Sequence, residues 1–485
     1  MEVLDKDLLS VQEARNLISK AKEAQKKYCE LSMERINKIV DAVAKAASRE
    51  AESLAILASE ETGFGNYKDK TAKNKLASDK LYDYIKDMKT LGIIREDKEK
   101  KIVEIGTPVG IITALIPSTN PTSTTIYKTL IALKSGNAII FSPHPGAYKC
   151  ISKTVEILSK AAVENGAPEG LISCQSILTM ESTNELMKNR NIGTILATGG
   201  SNMVRAAYSS GNPAIGVGPG NVPAYIERSA DVEKAVRRIF SSKTFDNGTI
   251  CASEQSIITE KIIEEKVKVE VVKQGGYFLF GDKLARVLKV MDNPNGLINP
   301  KIVGKTAEDI AEMAGIEIPK GTRVLLYEEK GVGREYPFSK EKLTALLGFY
   351  TVESWKEACE LCFRLLEYGG LGHTLSIHSN NEEIIREFAL HKPVSRILVN
   401  TPSSQGAVGI TTNLAPSLTL GSGAVGGSAT SDNVTPMNLI NIRRMAYGIE
   451  GFEEFYEEPD ICKKESIDVD TIAKIVIEKL KELSK

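Results

Sequence analysis

Residues 109–141 read "VGIITALIPSTNPTSTTIYKTLIALKSGNAIIF". "VGIITALIP" (109–117) is a nearly continuous apolar run, short enough to be a strand buried on both faces. The next segment opens on Pro121 and closes on Gly136, the asymmetry expected of a helix start and stop. "NAIIF" (137–141) is apolar again, so the stretch predicts a strand, a helix and a second strand. A connection of this length implies a parallel pair.

The alternation continues outward. A helix is expected over 147–165, a strand at "IGTILATGG" (192–200), a further helix, then "AIGVG" leading into "VPAYIE". Strands alternating with helices imply an α/β fold with a parallel sheet covered on both faces. Residues 10–62 read as long amphipathic helices stopped at the glycines of "SEETGFG". "GIIREDKEKKIVEIG" (92–106) places two apolar patches around a charged turn, the pattern of a β-hairpin. A second α/β region runs from "DVEKAVRRIF" to about residue 425. "GITTNLAPSLTLGSGAVGGSATSDN" (409–433) mixes glycine and serine with apolar residues, and so reads as ordered loops lining a site. "LINIRRMAYG" (439–448) is expected to be an edge strand, pairing with the hairpin or with another subunit.

With 485 residues the chain exceeds what one hydrophobic core supports. Its formal net charge of −1 disfavours nucleic acid or an anionic membrane as partner. No apolar run approaches the roughly 18 residues needed to span a bilayer, and the N-terminus lacks the apolar core of a secretory signal. Seven scattered cysteines suit a reducing cytoplasm better than a disulfide framework.

Several residues could carry chemistry. Cys251, in "TFDNGTICASEQS" (244–256), follows a turn and has small, polar neighbours. Its surroundings suit either a packed, inert thiol or a displayed nucleophile. Asn120 precedes Pro121, and spacing alone favours a helix N-cap over a functional amide. Thr198-Gly199-Gly200 lies between a strand and a helix, where backbone can approach a phosphate or nicotinamide. "GVGPGN" (216–221) precedes a strand, not a helix, and reads as a tight turn. Cys359 and Cys362 form a CxxC inside a helical pattern and are expected to pack. The four histidines have no zinc-like spacing with cysteine, so no metal site is expected.

Taken together, "IPSTNPTSTTIYKTLIALKSGNAIIFSPHP", "ILATGGSNMVRAAYSSGNPAIGVGPGN", "FDNGTICASEQS", "GHT" and "NTPSSQGAVG", in that order, resemble the CoA-acylating branch of the aldehyde dehydrogenase superfamily. The resemblance runs from about residue 10 to 448. The same strings resemble the aldehyde dehydrogenase half of bifunctional aldehyde–alcohol dehydrogenases, and no alcohol dehydrogenase half is expected to follow within 485 residues.

The resemblance implies Cys251 as nucleophile and Asn120 as an amide that helps to bind the oxyanion. It implies Ser142, Pro143, His144, Thr198, Gly199, Gly200 and Gly218 around the nucleotide. Glu341, in "FSKEKLTALL", matches a glutamate that holds the nicotinamide ribose. His373 of "GHT" matches a histidine of the acylating branch and is expected to support catalysis. Val217 stands where hydrolytic relatives carry a general-base glutamate, so an acyl-cysteine would pass to a thiol, coenzyme A. Ser142 and Pro145 replace two residues that those relatives use for the adenosine ribose, which leaves NAD and NADP both open.

The implied reaction is reversible oxidation of a small aldehyde to acyl-CoA, with acetaldehyde first and propionaldehyde second. Succinate semialdehyde or sulfoacetaldehyde is the alternative substrate, and a non-catalytic scaffold the alternative class. The implied architecture is a Rossmann-like nucleotide-binding domain (1–91 and 107–225), a catalytic thiol domain (226–425) and a β-arm for oligomerisation (92–106 and 426–449). An acidic linker (450–466) and an amphipathic helix (467–485) follow. A homodimer or homotetramer is expected, in the cytoplasm. The last helix either docks on its own subunit or forms a weak coiled coil, or resembles peptides that target enzymes to a bacterial microcompartment shell.

Overall fold

The computed structural model describes residues 5–291, 293, 298–449 and 468–484; the segment read as an acidic linker lies outside them. Contacts divide the chain into two compact units, Met1–Gly92 with Gly106–Ile442, and Ile93–Ile105 with Arg443–Lys485.

The first unit opens with the helices Lys6–Tyr28, Met33–Arg49 and Ala51–Thr62. Asp5 and Ser32 cap the first two through their side chains. The third stops at Gly63, whose φ of 65° is the left-handed conformation that glycine adopts without steric cost. Helix Tyr67–Lys75 follows and runs on through a π-helical turn, Leu76–Lys80.

The strands are numbered along the chain. β1 (Gly92–Asp97) and β2 (Ile102–Pro108) form the expected hairpin. β3 (Ile111–Ile116), β4 (Ala138–Pro143), β5 (Ile172–Cys174), β6 (Ile192–Thr198) and β7 (Ala214–Val217) form a parallel five-stranded sheet in the order β5-β4-β3-β6-β7. Every residue of β3 and β4 is buried, which explains their unbroken apolar sequence. The connecting helix Pro121–Lys134 is buried on all sides. Its Lys128 is accommodated because Nζ donates to the carbonyls of Leu115 and Leu196, at 2.9 and 2.8 Å.

β8 (Val222–Ile226), β9 (Glu254–Glu260), β10 (Gly276–Phe278), β11 (Val324–Glu328), β12 (Leu346–Val352), β13 (Gly372–His378) and β14 (Val394–Val399) form a second sheet. It is parallel, in the order β10-β11-β12-β9-β8-β13-β14. "VPAYIE" therefore belongs to this sheet and does not extend the first. Cys362 is buried beneath the second sheet and Cys359 packs at the same cluster, as read from their helical spacing.

β15 (Ile440–Ala446) pairs with the hairpin in the order β1-β2-β15, leaving it at the edge with every residue past Ile440 exposed. Within the second unit, Arg444 Nε lies 3.2 Å from Glu104 Oε1. Helix Val469–Leu483 starts at Asp468, whose side chain accepts from Asp470 N, and all of its residues are exposed. Among the described residues no helix is long and apolar enough to cross a membrane.

Candidate active site

A cavity of about 530 Å3 opens beyond the carboxyl ends of the first sheet, where open parallel sheets place their sites. Its walls include Ser142, Pro143 and His144 at the end of β4, Thr198, Gly199 and Gly200 after β6, and Val217 and Gly218 after β7. Asn120, Cys251 and Glu341 complete it, together with Leu418 and Leu420 from the glycine-rich loops. Ten of the eleven residues singled out from sequence therefore share one cavity. The eleventh, His373, reaches it through Cys251.

Cys251 is carried by a tight backbone feature. After helix Val232–Thr244, the residues Asp246, Asn247 and Gly248 take φ values of 47°, 53° and 77°. Three left-handed residues in succession turn the chain sharply, and Cys251 follows half-buried, before β9 begins. β8 lies between β9 and β13 and brings His373 across. His373 Nε2 lies 3.2 Å from Cys251 Sγ, and its Nδ1 lies 2.9 Å from Thr374 Oγ1.

Burial, then the Glu341 carboxylate, pushes the Cys251 thiol up to about 12. Burial, with Arg396 nearby, lowers His373 to about 3. Both shifts favour the neutral forms at rest, and the 3.2 Å contact places the imidazole within reach of the thiol proton, the geometric requirement for a general base.

Asn120 stands at the N-cap position, with Pro121 first in the helix, but its side chain makes no capping bond. This corrects the cap favoured by spacing. The amide turns away from the helix: Nδ2 donates to Thr249 O and Thr119 Oγ1, both at 3.2 Å. Its Oδ1 accepts from Lys73 Nζ.

On the opposite wall, Glu341 Oε1 accepts from Gly220 N at 2.9 Å, and burial raises the carboxyl to about 7. Gly220 explains "GVGPGN", the crossing from the first sheet to the second. A Cβ there would sit 2.1 Å from Cys251 O, so only glycine lets the two strands of chain approach. Val217 closes β7 and is buried. Among the described residues Thr198 Oγ1 is buried with no hydrogen-bond partner, and a Cβ on Gly200 would meet nothing within 4 Å. An unsatisfied hydroxyl beside open backbone suits a polar ligand that enters against the turn.

A model of the aldehyde dehydrogenase family matches residues 4–335. The chain belongs to the aldehyde dehydrogenase family. This aldehyde dehydrogenase is 43% identical over 442 residues to the bifunctional aldehyde-alcohol dehydrogenase AdhE of Escherichia coli, covering 90% of the chain and 50% of that relative. It thus spans about half the length of the first curated relatives it matches. Among solved structures it resembles an acetylating aldehyde dehydrogenase from Geobacillus thermoglucosidasius, at 53% identity and a TM-score of 0.90, covering 92% of the chain and 99% of that structure. A propionaldehyde dehydrogenase from the fucose utilisation bacterial microcompartment of Clostridium phytofermentans aligns at 29% identity and a TM-score of 0.81, covering 90% and 97%.

Three residues of this aldehyde dehydrogenase at or behind the cavity were not found from sequence. Gly220 is within reach of sequence, because it lies in the glycine-rich run "GVGPGN". Arg396 donates to His373 O at 3.1 Å and also to Gly421 O, which fixes the glycine-rich loops beside the histidine. Lys73 sits in a polar helix whose sequence looks solvent-facing, yet it is buried.

Proposed function

We propose that this aldehyde dehydrogenase oxidises a small uncharged aldehyde to its acyl-CoA through a thioester on Cys251, in a reversible reaction. The observation that carries this reading is the 3.2 Å contact of Cys251 Sγ with the neutral imidazole of His373, in a cavity where Val217 supplies no carboxylate.

Sγ adds to the carbonyl carbon while its proton passes to His373 Nε2, giving a thiohemiacetal. The carbonyl oxygen gains the electron pair, and Asn120 Nδ2 and the Cys251 N–H hold the resulting oxyanion. A nicotinamide held in this cavity would supply the hydride acceptor needed for the C–H bond to break and the thioester to form. The residues fit such a nucleotide: Thr198, Gly199 and Gly200 line the approach, with Ser142, Pro143, His144 and Gly218 around it and Glu341 for the ribose. Both NAD and NADP remain candidates. His373 releases that first proton to solvent; the thiol of coenzyme A then attacks the acyl carbon, and its proton passes through His373 Nε2 to Cys251 Sγ, which leaves as the restored thiol.

Acetaldehyde is the first substrate and propionaldehyde the second. Among the described residues no arginine or lysine lines the cavity, which disfavours succinate semialdehyde and sulfoacetaldehyde. Turnover of these four aldehydes with and without CoA, and with either nucleotide, tests the reading. Acyl-CoA formation that requires CoA and disappears in Cys251→Ala is expected. Free acid at an equal rate without CoA would overturn it.

The helix Val469–Leu483 supports a second reading, association with a microcompartment shell. It exposes Ile472, Val476, Leu480 and Leu483, spaced to share one face. A fluorescent protein fused to residues 450–485 should collect in compartments; diffuse signal would count against this. Exposed Ile442 and Met445 on edge strand β15 likewise support a homodimer or homotetramer, measurable by light scattering.

A further inference from the structure

Helix Tyr67–Lys75 sends two lysines into the interior, Lys70 and Lys73, which are 2% and 1% exposed. Both ammonium groups meet one carboxylate oxygen, Asp246 Oδ2. Burying such charges is expensive unless donors and acceptors are matched, and for Lys73 they are matched in full. Lys73 has three N–H bonds and three acceptors: Asp246 Oδ2, Thr249 Oγ1 and Asn120 Oδ1. Lys70 adds Thr119 O, at 3.2 Å.

The carboxylate itself is held from several sides. Asp246 N donates to Asp69 Oδ2 at 2.7 Å, and Asp246 Oδ1 accepts from Asn66 N at 2.8 Å. A Cβ on Gly65 would come within 1.8 Å of that same oxygen. Burial lowers Lys73 to about 8 against the pull of Asp246.

The two ends of a carboxamide have nearly the same shape, so hydrogen-bond partners decide which end points where. An ammonium offers donors only. Flipping Asn120 would place its NH2 against Lys73 and its oxygen against the carbonyl of Thr249. We propose that Lys73 is a positioning residue for the reaction, locking the Asn120 amide with Oδ1 toward the helix Tyr67–Lys75 and Nδ2 toward the loop that bears Cys251. Accepting from a cation also polarises the amide and strengthens its N–H as a donor. The Nδ2 hydrogen shared with the Thr119 hydroxyl is the one that an oxyanion can claim. This inference rests on the proposed roles of Cys251 as acyl carrier and Asn120 as oxyanion donor.

The test is a double-mutant cycle on the full chain with acetaldehyde, CoA and nucleotide. Lys73→Met keeps the length and removes charge and donors. Its kcat should fall about a hundredfold, as when an oxyanion donor is lost, with the nucleotide KM within about twofold. In an Asn120→Ala background the same change should cost less than about threefold, because the two residues act as one unit. Alkylation of Cys251 by iodoacetamide, a displacement without an oxyanion, should keep its rate.

Additive losses, or an unchanged kcat in Lys73→Met, would overturn the proposal. If the methionine variant does not fold, Lys73→Gln serves the same cycle with the same expected non-additivity. Failure of the underlying reading is recognisable separately, since Asn120→Ala or Cys251→Ala would then retain wild-type acyl-CoA formation.

Discussion

His373 Nε2 stands 3.2 Å from Cys251 Sγ, although 122 residues separate them. The contact joins a thiol held up to about 12 with an imidazole held down to about 3. Neither group is ionised at neutral pH, so Cys251 should react as a thiol that is deprotonated on demand. The rate of inactivation by iodoacetamide should keep climbing through pH 9. A plateau below pH 8 would reveal a standing thiolate–imidazolium pair and refute that picture.

Among the described residues Glu341 is the one carboxylate at the cavity wall, bonded to Gly220 N. Glu341→Gln keeps the shape and removes the carboxylate that the proposed reading offers to a ribose. The nucleotide KM should rise about tenfold, as expected when a hydrogen bond to a charged group is weakened. Steady-state kinetics with varied nucleotide measure this, and kcat should move less than KM.

The buried carboxyls also set a stability profile. Burial raises both Glu254 and Glu341 from 4.5 to about 7. The folded chain therefore keeps protons that the unfolded chain releases near 4.5. Their contribution favours folding below that pH and is lost as pH rises through about 7, at up to about 1.4 kcal/mol per pH unit for each group. Lys243, lowered to about 7 by burial, acts in the opposite sense: the unfolded chain binds the extra proton, and stability is regained from about 7 towards 10.5. Urea midpoints should accordingly fall between pH 5 and pH 7, and Glu254→Gln should flatten part of that fall.

Gly220→Ala should damage both walls at once. The added methyl would lie 2.1 Å from Cys251 O, so backbone must move. A destabilisation of about 1–3 kcal/mol is expected from overpacking, with kcat reduced at least about tenfold because a misplaced reacting group loses its geometry. Thermal melts and turnover check the two effects separately.

The parallel alternation, the hairpin and the stop at Gly63 were legible because each depends on neighbours in sequence: apolar runs, a charged turn, a glycine after a helical face. Cys251, Asn120, Glu341 and the Thr198–Gly200 turn were found through motifs and a resemblance, and the structure gathers them into one cavity. How the Asn120 amide is held was not legible. Its helix-start setting pointed to a cap, while the groups that claim its amide, Lys73 and Thr249, lie 47 and 129 residues away. Lys73 was hidden for a related reason. "YKDKTAKNK" looks like a solvated face, and only Asp246, 173 residues on, makes its burial tolerable.

Val217, buried at the end of β7, has a consequence for bookkeeping of turnover. On the proposed reading, an isopropyl group stands where the resemblance implies a water-activating acid in hydrolytic relatives, so the acylated chain would have no fast route back to free thiol unless a thiol arrives. Mixed with aldehyde and oxidised nucleotide but no CoA, the protein should deliver a burst of one reduced nucleotide per chain and then stall. It would behave as a stoichiometric reagent, with the acyl group visible as added mass on Cys251, and become a catalyst only when the acceptor is supplied.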